Sequence, residues 1–403
     1  MSESNNEKTL KIQTTKAEHW DSTFQLISWW KSEQVQSSKV MVVGAGALGN
    51  EVLKNLALLN VGHILIIDFD HIEFSNLSRS VLFRPEDAEQ RRPKAEVAAT
   101  RIREMNPNVK VMTIAGDIGV DVGLGVFRRM DAVIGCLDNR LARLYINRHC
   151  FKVDKAWIDG AIENLAGQME VYKPGISCYE CQLSPAEWEN IRFRLGCPDI
   201  AERNKAQGRI PTTPISSSII AAMQVQEALK IIHNNDEKLL VGKRFRYEGM
   251  NNDVLIYESH VLRDECESHV EDLNIVDMDQ LSARMTISEL FEVLIEHFGT
   301  EEIKLWLDHE VVLELTSMKS EESYEVMVAT PHLSESMLEQ YRTIAGEQIG
   351  ITKSVKIIGK DDLDGKTVLK DIGIPFLHVI TVEANFEFHY LELSGDVDFL
   401  QFQ

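Results

Sequence analysis

The sequence predicts an α/β protein, a doubly wound and largely parallel sheet followed by a smaller α+β domain. Three observations carry that expectation. β-Branched and apolar runs alternate with helical stretches as far as residue 151. A glycine-rich turn, Gly44-Ala45-Gly46-Ala47-Leu48-Gly49, joins the first run to the first helix. Beyond an acidic, weakly periodic stretch, the order changes to one helix and a series of strands. Strand and helix in alternation give parallel strands, because each helix must carry the chain back across the sheet before the next strand begins.

Residues 1–38 read as a polar start and then a helical lead-in, Ala17 to Trp30, that ends in Leu26, Ile27, Trp29 and Trp30. Lys39 to Val43 is a β-branched run, Gly49 to Leu59 a helix and His63 to Asp68 a second strand, together a βαβ unit. The pattern goes on with a helix at Ala95 to Met105, strands at Val109 to Ile114 and Ala132 to Leu137, and a helix from Arg140 to Phe151. Ala156 to Ile162 and Gln168 to Tyr172 read as an antiparallel extension of the sheet. Ser184 to Thr213 reads as a polar loop and Ser216 to His233 as an amphipathic helix that closes a first domain over 39–270. Val270 to Arg284 is the expected linker. A second domain over 285–403 has a helix at Ile287 to Phe298 and strands near Ile303 to Leu307, Glu325 to Ala329, Val355 to Ile358, His378 to Val382 and Phe386 to Leu393.

The 403 residues suffice for two cores, and the formal net charge of -21 argues against surfaces for nucleic acid or anionic lipid. No apolar run reaches the roughly 20 residues of a membrane helix, and Met1 to Lys16 has no signal-peptide core, so a cytoplasmic protein without membrane contact is expected. Partners should be proteins or small molecules.

Gly44, Gly46 and Gly49 stand in a G-x-G-x-x-G pattern between strand and helix, where absent side chains let backbone N–H groups meet a phosphate. The alternative is a tight turn without a nucleotide. Asp68 closes the second strand, the place for an acid that holds ribose hydroxyls. Asn76, Arg79 and Lys94 follow, donors suited to the charge of a triphosphate and of no use to a dinucleotide dehydrogenase. Asp138 stands at the carboxyl edge of the sheet, a natural position for a carboxylate that holds Mg²⁺. Each of these alone could serve a surface ion pair; together they favour ATP.

The runs Gly44 to Gly49, Asp68-Phe69-Asp70, Ser75-Asn76-Leu77-Ser78-Arg79, Lys94-Ala95 and Cys136-Leu137-Asp138-Asn139 resemble, in order, the adenylating core of the ThiF/MoeB and ubiquitin-activating enzyme superfamily, over roughly Lys39 to His269. The resemblance implies a Rossmann-like adenylation domain in which Asp68 binds the ribose, Asn76, Arg79 and Lys94 contact ATP phosphates, and Asp138 organises Mg²⁺. It also implies a homodimer, with Leu26 to Trp30 as part of the contact. Family members often supply an arginine from the N-terminal segment; residues 17–30 have none, and Lys16, His19 and Lys31 are the alternatives.

Cys178-x-x-Cys181 and Cys266-x-x-His269 are two pairs at the spacing of a tetrahedral site, so a structural Zn²⁺ is expected, against buried or incidental cysteines and an exposed histidine. Cys136 and Cys150 read as packing residues. Cys197 lies in the polar loop ahead of Pro211-Thr212-Thr213, where a thiolate could attack an acyl adenylate; the alternative is a structural or idle thiol. In relatives that conjugate, the catalytic cysteine lies in a crossover loop of this kind. The second domain has no cysteine, which argues against a sulfur-transferring rhodanese module. Gly365 to Ile374 and the following strand resemble the tail of a ubiquitin-like fold, and such domains dock conjugating enzymes.

The expected activity is ATP-Mg²⁺-dependent adenylation of the C-terminal carboxylate of a ubiquitin-like protein, then a thioester on Cys197 and transfer to a conjugating enzyme, as in bacterial conjugation systems of antiphage operons. The rival expectations are a sulfur-carrier adenylyltransferase of ThiF or MoeB type, a non-catalytic scaffold and an NAD-linked oxidoreductase.

Overall fold

The structure, a computed structural model, describes residues 20–196, 211–269, 273–317, 319–333, 337–341 and 349–403. Its first sheet holds eight strands: β1 Lys39–Val43, β2 His63–Ile67, β3 Lys110–Ile114, β4 Ala132–Gly135, β5 Trp157–Glu163, β6 Ala166–Tyr172, β7 Lys243–Glu248 and β8 Asp253–Glu258. Their order is β3-β2-β1-β4-β5-β6-β7-β8. Pairings from β3 to β5 are parallel, and those from β5 to β8 antiparallel.

Both faces of the parallel part are covered, and β1 shows how. Val40 and Val42 pack with the helices Ala47–Leu58, Lys94–Met105 and Pro214–Ile232, while Met41 and Val43 face the helices Leu124–Arg128 and Arg140–Lys152. A strand buried on both sides reads as a continuous apolar run, which is why β1 and β2 were visible in the sequence. β7 and β8 were not. The sequence of β7, Lys-Arg-Phe-Arg-Tyr-Glu, is mostly charged, and it is held in register partly by Arg244, whose Nε donates to Glu170 of β6 at 2.8 Å.

Three further expectations are corrected. Over its described part the lead-in is a 3₁₀ turn, Phe24–Leu26, and not an α-helix; Phe24, Trp29, Trp30 and His233 instead cluster their rings, a packing that β-branched and aromatic residues of weak helix propensity favour. The polar loop from Ser184 contains a helix, Pro185–Gly196, whose Ile191 is buried against Leu144 and Leu183. The linker contains strand β9, Ile275–Asp277, which pairs parallel with the last strand, and it delivers Met278, Leu281 and Ala283 to the second core.

The second sheet continues with β10 Ile303–Ser317, β11 Ser323–Ala329, β12 Ile349–Ile358, β13 Val379–Ala384 and β14 Glu387–Glu392, in the order β11-β10-β13-β14-β9 with β12 also paired to β10. The helix Ile287–Phe298 covers it through Ile287, Leu290, Phe291 and Leu294. It starts on a capping box, Thr286 with Glu289, and ends at Gly299 with φ 67°. The likeness to a ubiquitin-like fold does not extend to topology: among the described residues, no hairpin of the second sheet precedes the helix, and the parallel pair lies at the sheet edge. Gly365 to Ile374 is no strand; its backbone meets the start of the helix, Ile287 N donating to Thr367 O at 2.9 Å. β10 bulges between Trp306 and Val311, and His309 in that segment reaches Gly119, in the loop after β3, and the ring of Tyr145. The two sheets are joined by a buried carboxylate, Glu392, which pairs with Arg128 and Arg129. No helix among the described residues is long and apolar enough to cross a membrane.

Candidate functional site

The carboxyl ends of the parallel strands open into a cleft of about 260 Å³ lined by Gly44, Gly46, Asp68, Asn76, Arg79, Lys94 and Asp138. Every expected nucleotide-binding residue except Gly49 therefore lines one cavity. The glycines have distinct physical reasons. Gly44 has φ +95°, and a Cβ there would lie 2.5 Å from the Cys136 carbonyl oxygen. Gly49 lies behind the turn, where a Cβ would come within 1.9 Å of the Gly44 carbonyl oxygen. A Cβ on Gly46 would meet no protein atom within 4 Å, so the space before it belongs to the cleft.

β2 ends at Ile67, and Asp68 follows it outside the ladder. Its Oδ2 accepts from Ala45 N at 2.6 Å and its Oδ1 from Asp70 N at 2.8 Å, tying the second strand to the glycine turn. Burial raises the Asp68 carboxyl above its ordinary value, with Lys94 pulling the other way. Lys94 opens a helix and is itself mostly buried; its Nζ contacts Asp70 Oδ2 at 2.7 Å, a poised ammonium whose partner is exposed. Arg79 donates from Nη1 to the Ser75 carbonyl at 2.5 Å, and Asn76 Oδ1 accepts from Glu73 N at 2.9 Å. The exposed Asp138 carboxylate follows β4 and also borders an adjoining groove of about 360 Å³, lined by Arg140, Arg244 and Arg246.

Sequence reasoning missed the residues beneath the cleft. Asn50, fully buried, donates from Nδ2 to the carbonyls of Ala45 at 2.7 Å and Gly46 at 3.0 Å, and accepts from Leu82 N at 2.8 Å. A polar residue on the inner face of an otherwise apolar helix was the available signal. Arg143 donates from Nε to Asp159 at 2.9 Å and from Nη2 to the carbonyls of Leu137 at 2.5 Å and Gly160 at 3.1 Å. It holds the loop that carries Asp138, and nothing in the sequence marks that pairing. Burial raises Asp159, while Arg143 beside it pulls it down.

Cys178, Cys181, Cys266 and His269 come together with ligand atoms all within 4.8 Å of one another. Cys178 Sγ lies 3.9 Å from Cys266 Sγ, and Cys181 Sγ 3.4 Å from His269 Nε2. Tetrahedral zinc with ordinary bond lengths needs edges of about 3.8 Å between sulfurs and about 3.6 Å between sulfur and nitrogen. The donor set fits that ion. N–H groups also point at the sulfurs, Asn147 Nδ2 at 3.3 Å from Cys178 and Arg263 N at 3.2 Å from Cys181, as thiolates require. The hydrogen bond shared with Cys266 lowers the Cys178 thiol.

Cys136 and Cys150 are buried, and burial raises both thiols, so neither is a nucleophile. Cys197, Lys16 and His19 lie outside the described residues. Lys31 is exposed and does not line its own chain's cleft.

A glycine turn, an acid at the end of the second strand and donors across the carboxyl ends of a parallel sheet define a doubly wound α/β protein with a cleft at the carboxyl edge of its sheet. The model of the ThiF family matches residues 21–268, more than half of the chain, and the chain belongs to that family, within the superfamily of ThiF, MoeB and the ubiquitin-activating enzymes. SUMO-activating enzyme subunit 2 of Dictyostelium discoideum is 35% identical over 168 residues, 41% of this chain and 25% of that protein. Ubiquitin-like modifier-activating enzyme 1 of Homo sapiens is 34% identical over 165 residues, 38% of this chain and 15% of that protein. The chain thus spans a quarter or less of the length of these relatives. A crystal structure of E. coli MccB matches with TM-score 0.51 at 22% identity, covering 64% of this chain and 74% of that one, and shares the fold.

Proposed function

We propose that this protein is an activating enzyme that uses ATP to adenylate the C-terminal carboxylate of a ubiquitin-like protein. The observation that carries the reading is the convergence of Gly46, Asp68, Asn76, Arg79, Lys94 and Asp138 on one cleft. The names of the two curated relatives point the same way.

The phosphates would lie over the Gly44 to Gly49 turn, in the space that Gly46 leaves open, with the ribose on Asp68. Mg²⁺, held by Asp138, would supply charge neutralisation. The groove that meets the cleft at Asp138 offers a track for an extended tail. That carboxylate is ionised at neutral pH and needs no base; one oxygen bonds the α-phosphorus and the bond to pyrophosphate breaks. Arg79 and Lys94 stabilise the charge that moves to the leaving group, and Lys94 must exchange Asp70 for phosphate to do so.

Cys197 would then attack the acyl carbon as a thiolate, forming the thioester and expelling AMP, before the acyl group passes to a conjugating enzyme's cysteine. Supporting this, its segment joins Gly196 to Pro211, and Thr212 lines the cleft. The Zn²⁺ site would be structural, the second sheet would dock the conjugating enzyme, and the exposed Leu26, Ile27 and Trp29 would contribute to a homodimer.

Carrier-dependent exchange of labelled pyrophosphate into ATP tests the adenylation. Lys94→Ala and Asp138→Ala should each lower it at least about a hundredfold, whereas Cys197→Ala should keep it and lose the reductant-sensitive carrier adduct. No exchange with any carboxyl-terminal carrier, or an adduct that survives Cys197→Ala, would overturn the respective step.

A further inference from the structure

The strand order fixes where the base of a bound nucleotide must lie. The phosphate turn follows β1 and the ribose acid follows β2, so the next strand outward, β3, delivers its loop to the base. That loop lines the cleft with Gly116, Asp117 and Ile118. It is held from behind by the second sheet. Asp121 accepts from Asp117 N at 2.7 Å with Oδ2, and its Oδ1 lies 2.9 Å from Nε2 of His332, which must carry the proton. At the bulge in β10, His309 donates from Nε2 to the Gly119 carbonyl at 3.0 Å. Gly116 is pressed against Asp121: a Cβ there would lie 2.5 Å from Oδ2.

We propose that His332 and His309 are positioning residues for the nucleotide base, holding the wall Gly116–Ile118 through Asp121 and the Gly119 carbonyl, so that base binding and docking of the second sheet are coupled. The inference rests on the nucleotide reading above. It assigns the second sheet a part in the first domain's binding site, beyond any docking of a partner. Coupling of this kind is reciprocal: a filled base site tightens the contact, and a loosened contact weakens the base site.

The test uses the full chain and two probes, AMP for the base side and pyrophosphate for the phosphate side, with affinities measured by calorimetry. His332→Ala should weaken AMP by about fivefold or more and leave pyrophosphate unchanged. His332→Gln, whose amide N–H can still donate to Asp121, should restore AMP binding. Should His332→Ala fail to fold, hydrogen exchange on the wild-type chain decides: AMP, but not pyrophosphate, should slow exchange of both the Gly116–Asp121 amides and the β10 bulge. AMP affinity unchanged in His332→Ala, a parallel loss of both probes, or protection confined to the loop would overturn the coupling while leaving the nucleotide reading intact. A wild-type chain that binds no adenine nucleotide would overturn both.

Discussion

Three glycines in one turn answer three different constraints, and that difference can be measured. At Gly46, φ is -74° and no protein atom lies near a built Cβ, so Gly46→Ala should melt with the wild type and yet lose about tenfold in ATP affinity, because the methyl occupies phosphate space. Gly49→Ala should do the reverse first: its Cβ would strike the Gly44 carbonyl, costing about 3 kcal/mol or more of stability in a urea melt. A Gly46→Ala variant that binds ATP normally would remove the phosphates from this turn. The contrast was partly visible in the sequence, since the spacing named all three glycines. It could not say which faced ligand and which faced backbone, because that depends on Cys136, far along the chain. The same holds for the charged residues. Asp68 and Asp138 were legible since they follow strands closely, and Arg79 and Lys94 since they sit in short runs downstream of that first acid, whereas Arg143 and Asp159 make sense only as a pair, and a pair is not a local pattern.

At the scale of elements, the cluster of Cys178, Cys181, Cys266 and His269, proposed above to hold zinc, ties the ends of the antiparallel extension together. Cys178 and Cys181 follow β6, Cys266 and His269 follow β8, and Phe151 at the end of Arg140–Lys152 stacks on His269 with ring centroids 5.9 Å apart. Removing the ion should therefore loosen β6 to β8 and leave the parallel strands in place. Elemental analysis should find one zinc per chain, lost in Cys181→Ser, and limited proteolysis of that variant should cut near residues 250–262 before the parallel core. An unchanged cleavage pattern would show that the site contributes nothing to the extension. The pairing of these four residues was readable from spacing alone; the strands beside them were not. β7 is charged at all but Phe245 and Tyr247, β8 is exposed along its length, and β9 is three residues at an edge, so none carries the periodicity that betrays a buried element. The second domain's helix and its main strands were found because their apolar residues recur at the spacing their burial demands.

Across the whole molecule, the two sheets meet over ionisable groups whose protonation is linked to folding. His149, buried on Arg140–Lys152 and stacked on Phe127, borders the space beneath Trp306 and His378 of the second sheet. Burial lowers it from 6.5 to about 4. The folded pKa lies below the unfolded one, so the unfolded chain takes up this proton first. Stability is complete above about pH 6.5 and falls as pH drops toward 4, by up to about 3 kcal/mol. His332 acts in the opposite sense: the hydrogen bond it donates to Asp121 raises it, and its contribution fades as pH rises. Thermal melts between pH 4 and 8 should show the acid loss, and His149→Gln should flatten it. An equally steep curve in that variant would assign the acid sensitivity to other groups.

The alternation along β1 has one more consequence. Deleting a single residue from those five would turn Val40 and Val42 toward the wrong helices and aim the following loop away from bound phosphate, so one lost codon would spoil two cores and a binding site together. Few other five-residue stretches of this chain carry so much of it.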